Sequence, residues 1–320
     1  MDVKGVKIDE LAAECVSIIG EAIDYITVQA AERIGMDVEQ PPWKTKSNIT
    51  LQIDKGTHNL CSARLTNMLR EQFGIANVAV IGEEIKSKGS EPGHWQDYDL
   101  VIALDAVDGT DLVARGLGNW CTALFLFEPK KPRIIASFVG VPPGVVYFAY
   151  DSCGIAMKQN TEQHPSNFKK TRPVDVRKWR EKRLTIDSAS VCFYGQKPGN
   201  FLSVFRNPGL LETLLRLRSG MEDKGYRFRI YNLGGNPMMV NLADGKIDAV
   251  IELEGQKLYD VIPGVYIAQK AGAFLGDLEG NEINEEYWKK PLANPEQSTL
   301  SYILASTSSL YKDLLACLRA

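Results

Sequence analysis

Histidine is scarce in this chain: 320 residues carry only His58, His94 and His164. A zinc centre built on imidazole is therefore poorly supplied. The six cysteines (Cys15, Cys61, Cys121, Cys153, Cys192 and Cys317) are scattered, and no pair has the short spacing of a zinc knuckle or a redox dithiol. His58 and Cys61 are close in sequence, but two candidate ligands do not make a site, and buried free thiols in a reducing compartment are the expectation. Long apolar runs are also lacking. The longest, Cys121 to Phe127, falls far short of the roughly 20 residues that span a bilayer. The opening Met1-Asp2-Val3-Lys4-Gly5 mixes charges with no apolar core, so no signal peptide is expected. Nor is there an excess of one charge: Lys plus Arg is 37 and Asp plus Glu is 40, for a net charge of −3. Nucleic acid and anionic membrane surfaces demand a basic excess, so neither is expected as a partner. A cytoplasmic location is expected.

What is present is an ordinary globular mixture, 44% apolar and 24% charged, with length for about two domains at roughly 150 residues each. Ile8, Leu11, Ala12, Cys15, Val16, Ile19, Ile23 and Ile26 recur at helical steps, with Asp9 as the N-cap. A second helix is expected from Thr57 to Phe73, stopped by Gly74. The pattern then turns to strands: Val78–Ile81, Asp99–Leu104, Thr122–Phe127, Arg133–Val139 and Val145–Tyr150 read as a meander. Residues 159–182 are rich in Lys, Arg, Asn and Pro without apolar period, and read as a connecting loop or seam. The boundary is set there, giving an α+β domain over 1–182 and an α/β domain over 183–320. In the second domain, Leu184–Ile186, Arg227–Tyr231 and Ala249–Ile251 are expected strands. Helices are expected near Leu210–Met221, from Asn236-Pro237, and over Asp260–Ala271.

The carboxylates gather where these elements end. Glu83-Glu84 follows one apolar strand, Asp105-Ala106-Val107-Asp108-Gly109-Thr110-Asp111 follows another, and Asp260 opens a helix. Charged groups at strand ends and helix starts project from rigid supports. Oxygen ligands without His or Cys suit a hard cation such as Mg²⁺. Asp108-Gly109-Thr110 adds a Gly-containing turn opening a helix, whose backbone N–H groups form a concavity for an anion such as phosphate. Metal and phosphate in one place mean phosphoryl chemistry. Each piece alone has a plain reading: a solvated turn, an Asx-turn, an N-cap. Their joint order carries the argument.

That order, Ile81-Gly82-Glu83-Glu84, then Asp105-Ala106-Val107-Asp108-Gly109-Thr110, then Tyr259-Asp260-Val261, resembles the inositol monophosphatase and fructose-1,6-bisphosphatase superfamily of Mg²⁺-dependent, typically lithium-sensitive phosphatases. Ile53-Asp54, Leu233-Gly234-Gly235-Asn236 and Ala243–Ala249 extend the likeness over most of the chain. The resemblance implies a layered α-β-α-β-α sandwich, with a metal-and-phosphate crevice between two domains, and commonly a homodimer. It implies that Glu83, Asp105, the backbone carbonyl of Val107, Asp108 and Asp260 hold two or three Mg²⁺ ions. Gly109 and Thr110 would offer N–H groups to the phosphate, while Asp54 and the Thr110 hydroxyl orient the attacking water. Gly235, Asn236 and Glu252 would meet the substrate, with Glu254 competing for the role of Glu252. The Asn236 side chain either donates to a sugar hydroxyl or caps the helix begun at Pro237, capping being favoured. The substrate implied is a small polyhydroxy phosphate, an inositol or sugar phosphate. The alternatives are a fructose bisphosphate or a 3′-phosphorylated adenine nucleotide, with Arg227 and Arg229 meeting the second phosphate, or a regulatory relative without turnover. Two positions depart from the family pattern. Ala106 stands where a proline is usual, and Asp111 stands where a neutral residue is usual.

Overall fold

Aliphatic residues at steps of three and four make the first helix and also its seat. In α1 (Ile8–Arg33) the stripe Leu11, Cys15, Ile19, Ile23 and Ile26 is buried to 1% exposure or less. Each aliphatic side chain so placed contributes about 1.5–3 kcal/mol relative to exposure. Asp9 lies within the first turn, where its charge still complements the helix dipole. The computed structural model describes residues 7–33, 52–82, 95–161, 171–176, 185–194, 198–224, 228–295 and 297–320. Within these, the second helix, α2 (Gln52–Glu71), begins before the expected Thr57 and so takes Asp54 into its first turn. It stops where expected: Gly74 has φ 65°, and the Ile75 N–H closes onto the Leu69 carbonyl at 2.9 Å.

The chain divides into two compact units, Met1–Arg172 and Pro173–Ala320. The sheet of the first runs in chain order: β1 (Val78–Gly82), β2 (Leu100–Asp108), β3 (Cys121–Glu128), β4 (Arg133–Val141), β5 (Val145–Tyr150) and β6 (Ala156–Asn160). A seventh strand, β7 (Arg172–Val174), lies at the division. β1 and β2 are parallel, and β2 through β6 form the expected antiparallel meander. One face of the sheet, with Leu100, Ile102, Leu104, Leu124 and Leu126, joins the core made by the stripes of α1 and α2. The alternate residues Val101, Ala103, Phe125 and Phe127 are buried as well. Burial on both sides is why these strands read as unbroken apolar runs rather than alternating ones. The short helix α3 (Thr110–Ala114) follows β2 directly.

The second unit holds a sheet of order β11-β12-β10-β8-β9. One side of it is the parallel trio β8 (Ser190–Phe193), β9 (Arg229–Tyr231, at the edge) and β10 (Ala249–Lys257, at the centre), as α/β alternation requires. The strand expected at Leu184–Ile186 is displaced: Ile186–Ser188 is a 3-10 turn, the strand begins at Ser190, and Leu184 lies outside the described residues. Between β8 and β9 run α4 (Pro198–Arg206), which the sequence reading missed, and α5 (Pro208–Lys224). Then come α6 (Asn236–Ala243) and α7 (Leu258–Lys270) on either side of β10, and β11 (Phe274–Gly276), α8 (Glu285–Ala293), β12 (Thr299–Ala305) and α9 (Ser308–Arg319). β12 is antiparallel to both β10 and β11. Among the described residues no helix is long and apolar enough to cross a membrane. All six cysteines are free, and Cys15, Cys61, Cys121 and Cys192 are buried.

Candidate active site

The end of β2 is where the expected chemistry gathers, and a fault in the strand arranges it. Asp105 pairs with Ala123 of β3, but the next partnered residue, Asp108, pairs with Cys121. Two residues on β2, Ala106 and Val107, therefore stand against one on β3, Thr122, which is a bulge. In a regular strand Asp105 and Asp108 would face opposite sides of the sheet. The extra residue lets Asp108 take the side a regular strand would give to Val107, so both carboxylates face the same way. The turn is pinned from within. Asp105 Oδ1 accepts the N–H of Val107 at 3.2 Å, an Asx-turn, and Asp105 is only 6% exposed. It is also pinned from β3: Thr122 Oγ1 donates to the Ala106 carbonyl at 2.8 Å, and Cys121 Sγ lies 3.8 Å from Asp108 Oδ2.

Gly109 ends the strand and starts the helix with φ 94° and ψ 36°, a left-handed conformation that favours glycine. A Cβ there would also come within 3.0 Å of the Asn119 carbonyl. Directly after it, the Thr110 hydroxyl stands 3.0 Å from Asp54 Oδ2 and 2.9 Å from the Val107 carbonyl oxygen. One hydroxyl proton serves one of these acceptors at a time, so the group is a switchable donor between a buried carboxylate and a loop carbonyl. The unit thus brings together Asp54, Asp105, Val107, Asp108, Gly109 and Thr110. Glu83 lies outside the described residues.

His58, one helical turn after Asp54, is 2% exposed, and among the described residues neither ring nitrogen has a hydrogen-bond partner. Burial holds its pKa below the usual 6.5, so the ring is neutral at pH 7. Cys61 beside it is pushed up to about 12, first by burial and then by Glu21. A thiol raised so far is not poised to bind metal, and among the described residues no three His, Cys, Asp or Glu side chains cluster closely enough to hold one. The donors on the bulge are nonetheless all oxygens, two carboxylates and a carbonyl on one short turn. That is the chemistry of a hard cation and not of a soft one, so Mg²⁺ fits the residues present as part of a larger set.

In the second unit Gly235, with φ 76°, is the N-cap of α6, and no side chain caps that helix. The favoured capping role for Asn236 is therefore corrected. Asn236 is wholly buried as the first residue of α6, and its Oδ1 accepts the N–H of Gly264 in α7 at 2.8 Å. Pro263 interrupts α7 just before that residue, where a helix needs an outside partner for its displaced bonds. This bond ties the start of α6 to the helix whose first turn carries Asp260. Glu252 is 1% exposed and its Oε1 accepts the N–H groups of Glu254 and Gly255 at 2.8 and 3.1 Å. It thereby shapes a bulge in β10, whose register against β12 shifts between Glu252 and Gln256. Glu254 is exposed. Arg229 is exposed too, with Nη1 donating to the Phe228 carbonyl, while Arg227 lies outside the described residues.

Solved structures share this arrangement of elements. The extragenic suppressor protein SuhB of Bartonella henselae superposes with a TM-score of 0.63 at 15% identity, covering 97% of this chain and 98% of that one. Inositol monophosphatase II of Staphylococcus aureus gives 0.61 at 16% identity, covering 96% and 92%; that enzyme has been solved with 2′-AMP and with inositol monophosphate bound. The mixed α+β fold is therefore that of the inositol monophosphatase-like proteins. In sequence, a histidinol-phosphatase of Streptomyces coelicolor is 24% identical over 267 residues, 82% of this chain and 85% of that protein. The chain belongs to the inositol monophosphatase family, whose pattern matches residues 7–318. It is a phosphatase of that family.

Proposed function

We propose that the protein is a Mg²⁺-dependent phosphomonoesterase acting on a small polyhydroxy phosphate, an inositol or sugar phosphate. The observation that carries the reading is the Thr110 hydroxyl held between Asp54 and the Val107 carbonyl, beside a bulge that turns Asp105 and Asp108 to one side. The ligand set proposed is Glu83, Asp105, the Val107 carbonyl, Asp108 and Asp260, for two or three ions. Bound there, Mg²⁺ supplies the positive charge that activates water and neutralises the leaving oxygen of an in-line displacement.

The chain's own groups do the rest. Asp54, fixed in the first turn of α2, directs the Thr110 proton toward itself and leaves a hydroxyl lone pair to accept from the attacking water. The carboxylate is then the base at the end of that relay. Gly109 and Thr110 present backbone N–H groups to the phosphate oxygens. For the substrate hydroxyls, Glu254 is the better placed of the two glutamates, since Glu252 already serves two backbone N–H groups. Asp111 is exposed and is read as a surface carboxylate. A homodimer is the expected assembly.

The test is phosphate release from inositol, sugar, nucleotide and histidinol phosphates, with and without Mg²⁺, beside Asp105→Asn. The nucleotide and histidinol esters are included because relatives carry those names or ligands. Mg²⁺-dependent release that the variant abolishes is expected. Release that is indifferent to Mg²⁺ would overturn the metal reading, and no release from any ester would favour a regulatory role.

A further inference from the structure

We infer that Thr122 is a positioning residue for the candidate metal loop, an inference that rests on the metal-dependent reading above. The bulge lifts Ala106 and Val107 out of register with β3, and a bulge disrupts the ladder at that point. The Ala106 carbonyl is on a residue only 2% exposed, where water is a poor substitute for a lost partner. Thr122 is wholly buried and its hydroxyl meets that carbonyl at 2.8 Å. Three of the five proposed ligands hang on the same four-residue arch, Asp105–Asp108. Asp105 enters it, the Val107 carbonyl crowns it and Asp108 leaves it.

Ala106 has no ring to stiffen this arch. The hydrogen bond from Thr122 supplies the restraint from the neighbouring strand. The residue is also out of keeping with its setting: it is the one hydroxyl in the run Cys121–Phe127, otherwise made of Cys, Ala, Leu and Phe. Strand packing alone is satisfied by valine, which has the same shape. A threonine there is explained by the carbonyl it faces.

Loss of a group bonded directly to a metal ligand changes affinity by about 10- to 100-fold; Thr122 bonds the carbonyl that lies between two ligands, so the lower end of that range applies. Thr122→Val keeps the shape and removes the donor, while Thr122→Ser keeps the donor. Ser137, a wholly buried hydroxyl on β4 with no hydrogen-bond partner among the described residues, provides the control as Ser137→Ala. Mg²⁺ binding to chelator-stripped protein is read by titration calorimetry, with melting followed in chelator and in excess Mg²⁺. Thr122→Val is expected to raise the Mg²⁺ Kd about tenfold, with Thr122→Ser within about threefold of wild type and Ser137→Ala unchanged. The rate at saturating Mg²⁺ should recover most of its wild-type value, because the ligands themselves are intact. Unchanged binding in Thr122→Val, or an equal loss in Thr122→Ser, would overturn the inference. Wild-type protein that binds no Mg²⁺ would instead overturn the metal reading itself, and this inference with it.

Discussion

Asp105→Asn separates the two things that Asp105 does. Its Oδ1 accepts the Val107 N–H and closes the Asx-turn, and an asparagine oxygen accepts the same bond, so the turn should survive. Its charge, by contrast, has no substitute: Asp105 is 6% exposed and stands beside Asp108 on the same arch. Without metal the variant should melt at or slightly above the wild-type temperature, since one of two neighbouring carboxylates is neutralised. With metal the order reverses. A cation at about 100 times its Kd stabilises the wild-type fold by about 2.7 kcal/mol, and units of this size gain roughly 2–4 °C per kcal/mol. The wild type should therefore rise by about 5–10 °C on Mg²⁺ addition and the variant by little or nothing. The assay is a melting series across Mg²⁺ concentration. A variant that keeps the full Mg²⁺ shift would refute Asp105 as a ligand. One that melts far lower in chelator would refute the assignment of the turn to an oxygen that asparagine retains.

Three further outcomes are expected. Thr110→Val should lower kcat by about 10²- to 10⁴-fold with a much smaller change in KM, and Thr110→Ser should restore most of it; a Val variant within tenfold of wild type would remove the hydroxyl from the reaction. His58 has its folded pKa depressed by burial, so the unfolded chain takes up its proton first and stability is lost as the pH falls below about 6.5. Melting curves from pH 7.5 to 5.5 should therefore fall less steeply for His58→Leu than for wild type, and parallel curves would contradict the assignment. Gly264→Ala places a Cβ 2.6 Å from Met239 Cβ and Sδ and 3.0 Å from Asn236 Oδ1, which should destabilise the protein by about 1–3 kcal/mol in denaturant unfolding; a neutral result would mean that α6 and α7 part easily.

The elements legible in the sequence are those whose pattern has one cause. The stripe of α1 and the stop at Gly74 were read as they stand because periodicity and a left-handed glycine are local signals. The meander was legible as a set of apolar runs, but not the ends of its strands. β2 was read as ending at Leu104 and runs to Asp108. Polar residues usually mark a turn, and here they sit inside a strand that a bulge has bent. α4 is different: Phe201, Leu202, Val204 and Phe205 recur at helical steps, yet the helix is only nine residues long and buries Val204 alone.

The candidate site divides along the same line. Asp105 and Asp108 were expected from order and type, as oxygen donors at an element end, whereas Asp54 and the Thr110 hydroxyl entered only through the family resemblance. What sequence order could not carry is how they are held, since the holding groups are ordinary residues whose partners are distant in the chain. Asn236 was read by position as a cap for its own helix, whereas its partner is Gly264, 28 residues away. Glu252 was read as a substrate contact with Glu254 as its competitor, and what the sequence did not show is that one of its oxygens accepts the N–H groups of Glu254 and Gly255. Both are polar groups wholly or almost wholly buried, and a buried polar group must find a partner inside the protein. Burial was the unreadable quantity. Once it is known, the demand for a partner predicts the bond, and the bond predicts the role. Thr122 follows by the same steps: a hydroxyl in an apolar run is a weak signal, but a buried hydroxyl opposite a bulged carbonyl is a restraint on the loop that carries the acids.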